Sequence, residues 1–269
     1  MIDLGIGQPS PWLLPAAAMQ KASAHCAADP GCVLLAYGSE QGDGHFRLAL
    51  SGFLEGIYGI PVDPAHLLVT NGASQAIDLI CTLFSKAGDT IFVEEPTYFL
   101  ARKIFADHQL KPVALPMDAD GLMVDALEEE LRRTRPAFLY TIPTYHNPTS
   151  SCLSAARRET LVELSRRYDF TVVADEVYHP LSYTAAPPPP LATFCVSAKV
   201  ISLGSFSKIL APGLRLGWLQ AAPAAIERIV QCGLLDSGGG LNPFASGVVR
   251  SAMALGLMDE NLALLKKTY

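Results

Sequence analysis

A chain of 269 residues, half of them apolar, can bury a large core, and its formal charge of −6 comes without a basic stripe or a Lys/Arg run. That balance argues against a nucleic-acid partner held through phosphate contacts. No apolar stretch approaches the roughly 18 residues that span a bilayer, no charged leader precedes an apolar run, and the six cysteines lack any C-x-x-C pair or metal-ligand spacing. Membrane insertion, export and a metal site are therefore not indicated, and reduced thiols in a cytoplasmic setting are the expectation.

In chain order, short β-rich runs alternate with helical ones. The pattern predicts a strand at 67–70 before a helix at 73–85, a strand at 90–94 before a helix at 98–107, and a strand at 137–142 before a helix at 155–168. Further strands are expected at 170–174 and 200–203, and a helix over 242–257 precedes a second amphipathic run from 260 to the end. The tetraproline at 187–190 reads as a stiff extended loop, and the Asp236–Gly240 stretch as a flexible one. The predicted class is α/β, a mostly parallel sheet sandwiched by helices, in which ligands sit beyond the carboxyl ends of the strands.

Residues with chemistry follow those strands. Asn71-Gly72-Ala73-Ser74-Gln75 joins a strand to a helix through small residues, which leaves backbone N–H groups and a helix dipole free for an anion; the alternative is an ordinary helix cap at Ser74. Tyr98 follows the rigid Glu95-Pro96 turn and reads either as a site aromatic or as core. Asp175 ends an apolar run, where a carboxylate is costly unless partnered, a protonated pyridine nitrogen being one suitable partner and a cap for a following helix the other reading. Glu176 is expected to face elsewhere. Ser205, Ser207, Lys208 and Arg215 form the densest cluster. A lysine amine can form a Schiff base with an aldehyde, and hydroxyls and a guanidinium fork can hold a phosphate. His45, His146 and His179 lack metal-ligand or acid/base spacing and are not candidates.

From Asp3-Leu4-Gly5-Ile6-Gly7-Gln8-Pro9 to Leu241-Asn242-Pro243-Phe244 these motifs stand in the order of the class I and II aminotransferases, and the sequence resembles that family of fold type I pyridoxal-phosphate enzymes over nearly its whole length. Within it, the likeness is to the group of 2-aminoadipate and aromatic aminotransferases. The resemblance implies pyridoxal 5'-phosphate on Lys208, with Asp175 at the ring nitrogen and Tyr98 stacked on the ring. It also implies Asn147 and Tyr178 at the ring's 3-oxygen, and Ala73, Ser74, Gln75, Ser205, Ser207 and Arg215 around the phosphate or the ring's edge. Tyr37 would reach the phosphate of a neighbouring subunit, so a homodimer is implied. Ser150 departs from the pattern, since Gly is usual after Asn147-Pro148-Thr149.

The implied activity is transfer of an amino group from an amino acid to a 2-oxo acid, in amino-acid metabolism and biosynthesis; a related lyase or decarboxylase is the alternative. Residues 1–36 are expected to be an N-terminal segment near the substrate entrance and 37–269 the cofactor-binding domain. In the resembled family a smaller C-terminal domain follows and carries the arginine that clamps the substrate α-carboxylate. Arg250 lacks the matching motif, so cofactor binding with weak turnover is expected of these 269 residues taken alone.

Overall fold

A computed structural model describes residues 7–29, 35–183 and 185–269. Among the described residues eight strands form one sheet in the order β1-β8-β7-β6-β5-β2-β3-β4. Strands β2 (Thr90–Glu95), β3 (Lys111–Asp118), β5 (Phe138–Thr141), β6 (Thr171–Asp175) and β7 (Val200–Ser205) run parallel. The antiparallel β8 (Gly217–Gln220) separates β7 from β1 (Leu67–Thr70), so β1 points the same way as β7. The two-residue β4 (Gly121–Leu122) closes the other edge, antiparallel to β3.

Side-chain alternation divides the core between the two faces of the sheet. Ile91 and Val93, Phe138 and Tyr140, and Val173 pack with Ile77 and Ile80 of α3 (Gly72–Phe84), Phe105 of α4 (Phe99–Asp107) and Ile226 of α7 (Pro223–Val230). Phe92, Leu139, Val172 and Ala174 turn to the opposite face. They pack with Leu127 of α5 (Val124–Leu131) and Leu161 of α6 (Ala155–Tyr168). A third cluster gathers Phe46, Leu50 and Leu54 of α2 (Gly44–Tyr58) around Phe206 and Trp218. Helix α1 (Ala16–Ala28) lies against α9 (Pro243–Ala254).

The expected α/β class and mostly parallel sheet are what forms. The predicted helix at 242–257 ends at Ala254, and a left-handed Gly256 (φ 72°) starts α10 (Leu257–Thr268). Strands β3, β4 and β8 were not foreseen: β3 carries Lys111, Pro112 and Pro116, a composition confined to positions near sheet edges, and β8 is only four residues long. The Asp236–Gly240 stretch is not a free loop. Its first half belongs to α8 (Gly233–Gly238), and Gly239 and Gly240 sit so close to the backbone of Gly38 and Ser39 that a Cβ would collide with their carbonyl oxygens. Among the described residues no helix is long and apolar enough to cross a membrane.

Candidate active site

Parallel strands end on one edge of the sheet, so residues far apart in sequence converge there. The register pairs Ser205 with Gly217 and Gly217 with Thr70, which brings the Lys208 turn beside the start of α3. Asp175 pairs with Leu203 at the end of β6. These ends enclose a cavity of about 170 Å³ lined by Ala73, Ser74, Tyr98, Asn147, Asp175, Tyr178, Ser205, Ser207, Lys208 and Arg215, with Ile77, Ile142, Val177 and Pro212 completing it.

Asp175 shares a sheet face with Tyr140 and Val173, and its Oδ2 accepts a 2.7 Å hydrogen bond from the Tyr140 hydroxyl. Its Oδ1 is buried without a partner in the protein. Burial pushes this carboxyl up from its ordinary value, opposed by the Tyr140 hydroxyl, the Val177 N–H and the Lys208 charge. A buried acceptor left open in this way suits a protonated ring nitrogen. The residues after Asp175 form turns rather than a helix, so Asp175 caps no helix.

Lys208 lies in a turn three residues beyond β7. Burial lowers its proton affinity, with Asp175 pulling the other way, and its ammonium donates to the Gly7 carbonyl. The Tyr178 ring centroid is 5.9 Å from Nζ. Asn147 Nδ2 donates to the Tyr178 hydroxyl at 3.5 Å, and burial followed by the Asp175 charge pushes that phenol up to about 12. Tyr98 is raised as well, first by burial and then by Asp175.

The opposite wall suits a phosphate. Helix α3 begins at Gly72, so Ser74 is its third residue rather than its cap, and Ala73 and Ser74 of its first turn, where N–H groups have no partner within a helix, line the cavity. The Ser207 N–H donates to Ser205 Oγ at 3.1 Å, and Ser205 Oγ donates to Ser207 Oγ at 3.0 Å. Arg215 has a left-handed backbone (φ 47°), and Asn242 Nδ2 donates to the carbonyl oxygens of Leu214 and Arg215 at 3.1 and 2.6 Å. Gly72 is required where it stands: its φ is +78°, and a Cβ would come within 2.9 Å of the Arg215 guanidinium.

Two expected residues do not line this cavity. The Gln75 amide oxygen accepts from the Asn71 N–H at 2.7 Å, closing the helix start, and Tyr37 is 90% exposed on the loop before α2. Gly5 and Ile6 of the entrance segment, like Cys32, lie outside the described residues. Arg250 pairs with Asp29 at 2.9 Å and lines no part of the cavity. Ser150 adopts φ +62°, the left-handed region that favours glycine, at a cost of about 1–2 kcal/mol for a residue with a Cβ.

Several supporting residues escaped the reading of the sequence. On the reverse sheet face Glu94 accepts from Thr141 Oγ1 at 2.6 Å and from the Ile142 N–H at 2.9 Å, and the buried His146 Nε2 lies 3.1 Å from it, directly before Asn147. Glu176 does face away from the cavity. It accepts from the Leu191 and Ala192 N–H groups and from Ser202 Oγ, with the fully buried Arg158 at 3.7 Å. Arg158 donates to the Pro143 and Leu153 carbonyls and to Thr144 Oγ1, at either end of the loop that presents Asn147. Polar residues inside apolar runs were the available signal, Tyr140 in Phe-Leu-Tyr-Thr above all.

The sequence pattern of the family described as aminotransferase class I and II matches residues 1–253. The aromatic-amino-acid aminotransferase 1 of Thermococcus litoralis is 36% identical over 234 residues, covering 85% of this chain and 56% of that one. YisV, an uncharacterised HTH-type transcriptional regulator of Bacillus subtilis, is 30% identical over 99% of this chain and 54% of its own length. The crystal structure of a multiple substrate aminotransferase from Thermococcus profundus superposes with a TM-score of 0.90 at 34% identity, over 98% of this chain and 66% of that one. The chain thus spans about half the length of the curated relatives it matches.

Proposed function

We propose, from the premise that this chain belongs to the class I and II aminotransferase family, that it holds pyridoxal 5'-phosphate in the cavity at the strand ends and transfers an amino group from an amino acid to a 2-oxo acid. The observation that carries this reading is the pairing, in one cavity, of a lysine amine with a buried carboxylate oxygen that has no partner in the protein. Bound pyridoxal phosphate would supply a carbonyl carbon for amines and a ring that accepts electrons. Lys208, its proton affinity lowered by burial, is suited to take a proton at Nζ and return it at a neighbouring carbon. Asp175 Oδ1 would accept a hydrogen bond from the protonated ring nitrogen and keep it charged. Tyr98 would cover the ring face, and Asn147 and Tyr178 would donate to its oxygen. Ser74, Ser205, Ser207, Arg215 and the N–H groups at the start of α3, including that of Ala73, would hold the phosphate, with Gln75 keeping the helix start closed.

Residues 1–36 serve in this reading as the entrance segment and 37–269 as the cofactor domain. The enzyme would work as a cytoplasmic homodimer in amino-acid biosynthesis, with Tyr37 reaching the phosphate of the second copy; the exposed Trp12, Tyr37 and Phe244 rings support an interface, and the thiols of Cys81, Cys152, Cys195 and Cys232 support the compartment. A second reading, a cofactor-binding domain without turnover, is favoured by the likeness to YisV over nearly the whole chain.

One experiment separates them. Incubated with pyridoxal phosphate, the protein should develop a visible absorption band that borohydride fixes onto a peptide containing Lys208, and Lys208→Ala should abolish it. Amino acid plus a 2-oxo acid acceptor should then give a new 2-oxo acid. A band without that product supports the second reading, product without need of an acceptor supports a lyase, and label on another lysine overturns the site.

A further inference from the structure

Glu94, next to last in β2, and His146 are each 1% exposed, and neither lines the cavity. Thr149 decides which nitrogen of the imidazole carries the proton. The Thr149 N–H donates to His146 Nδ1 at 3.4 Å, and the Thr149 hydroxyl lies 3.0 Å from the same atom. A backbone N–H can only donate, so Nδ1 accepts and the proton stands on Nε2. Nε2 is 3.1 Å from Glu94 Oε2, within reach of the carboxylate though off the straight line of a hydrogen bond. The backbone of His146 closes the same turn. Its N–H donates to the Ser151 carbonyl at 2.8 Å, and its carbonyl accepts from the Ser150 N–H at 2.6 Å.

We infer that Glu94 and His146 are positioning residues for Asn147: His146, as the Nε2–H tautomer, locks the 146–151 turn to β2 and so aims the Asn147 amide at the ring oxygen of the cofactor. The inference rests on the role proposed above for Asn147. On the cavity side the amide is held weakly, since its bond to the Tyr178 hydroxyl is 3.5 Å long. Its direction therefore comes from the residue behind it. Glu94 fixes both ends of that support, because it also accepts from Thr141 Oγ1 and the Ile142 N–H, where the chain leaves β5 for the turn. Burying a carboxylate and an imidazole costs stability that an apolar pair of the same size would not, and what such a pair gains is a single fixed arrangement. Glu94 also precedes Tyr98 on the same segment, so one buried pair joins the two stretches of chain proposed to carry ring contacts. A turn that slips swings the amide off its line to the oxygen, and a misaligned donor loses most of its energy.

The test reads the histidine and the asparagine separately. In the full chain without cofactor, nitrogen-15 NMR of histidine-labelled protein at pH 8 should show His146, identified by its loss in His146→Gln, protonated at Nε2 and bare at Nδ1. Pyridoxal phosphate should bind about tenfold more weakly to Asn147→Ala, the loss of one hydrogen bond to a charged oxygen, and as weakly to His146→Leu. Combining the two should cost no more than either alone, because His146 acts through Asn147. His146→Gln, whose end group again sets a donor beside an acceptor, should bind within about threefold of wild type. Should His146→Leu not fold, Thr149→Val at an exposed position removes one partner of Nδ1 and should give a smaller loss that vanishes in the Asn147→Ala background. A proton on Nδ1, additive losses, or no rescue by glutamine would overturn the assignment. Absence of any cofactor band would instead defeat the Lys208 reading, and undiminished affinity in Asn147→Ala would defeat the role given to Asn147. The pair is still decided without cofactor: the Asn147 side-chain amide signal should move in Thr149→Val, and an unmoved signal would show that His146 does not hold it.

Discussion

His179 sits one residue after Tyr178, in the turns that follow Asp175, and its imidazole is buried against the edge of the Tyr58 ring, with Thr144 Oγ1 at 3.4 Å. Burial first, then the Arg158 and Lys266 charges, pulls it from 6.5 to about 4. The folded protein therefore holds it neutral where an unfolded chain would protonate it. Its contribution is fully present above about 6.5 and is lost as pH falls towards 4, which amounts to about 2 kcal/mol between pH 8 and pH 5. The raised carboxyls of Asp175 and Glu176 act in the opposite direction, since their charged forms are disfavoured by burial and acid relieves that cost. Urea unfolding of wild type and His179→Gln at the two pH values isolates the histidine. Wild type should lose about 2 kcal/mol more than the variant on acidification, and equal losses would show that His179 titrates normally in the fold.

At the scale of elements, the anion wall depends on two strand ends and a helix start packed without side chains between them. A Cβ on Gly204 would enter the Trp218 indole, and one on Gly217 would meet the Gly204 carbonyl and the Gly72 Cα, so β7, β8 and the start of α3 approach more closely than any other residue permits. Trp218 in turn packs on Phe206 with centroids 5.1 Å apart, fixing the turn that carries Lys208. Gly72→Ala should cost about 1–2 kcal/mol for its positive φ alone and displace the Arg215 guanidinium. Urea denaturation should show that loss, and pyridoxal phosphate should bind at least tenfold more weakly. A stable variant with unchanged affinity would mean that Arg215 does not contribute to the anion wall.

For the molecule as a whole, the single chain encloses the proposed ring and phosphate sites yet leaves Tyr37 90% exposed and outside the cavity. The loop around it is not loose, because Gly38 and Ser39 pack on Gly239 and Gly240. A rigid loop that presents a bare tyrosine is suited to a second copy. Sedimentation should then give twice the 28.8 kDa chain mass. Tyr37→Phe should weaken pyridoxal phosphate binding by about tenfold, the loss expected for one hydrogen bond to a charged group, without changing that mass. A monomer, or a dimer whose affinity ignores Tyr37, would refute the shared site.

Spacing and composition alone determined that strands alternate with helices in a mostly parallel sheet, because period-2 and period-3.6 burial are local properties of the chain. They also picked out Lys208, Asp175, Ser205 and Arg215, since such groups placed after apolar runs need a partner that a strand end can provide. Only tertiary structure decided what surrounds them. Asp175 keeps an open oxygen because Tyr140, 35 residues earlier and on the same sheet face, takes the other one. Glu94 and Glu176, as acidic and as close to strand ends, are consumed by donors on the reverse face and in the next loop. Strand parity and register set that difference, and both depend on which strands become neighbours, a choice made by packing across the whole sheet rather than by any local run of residues.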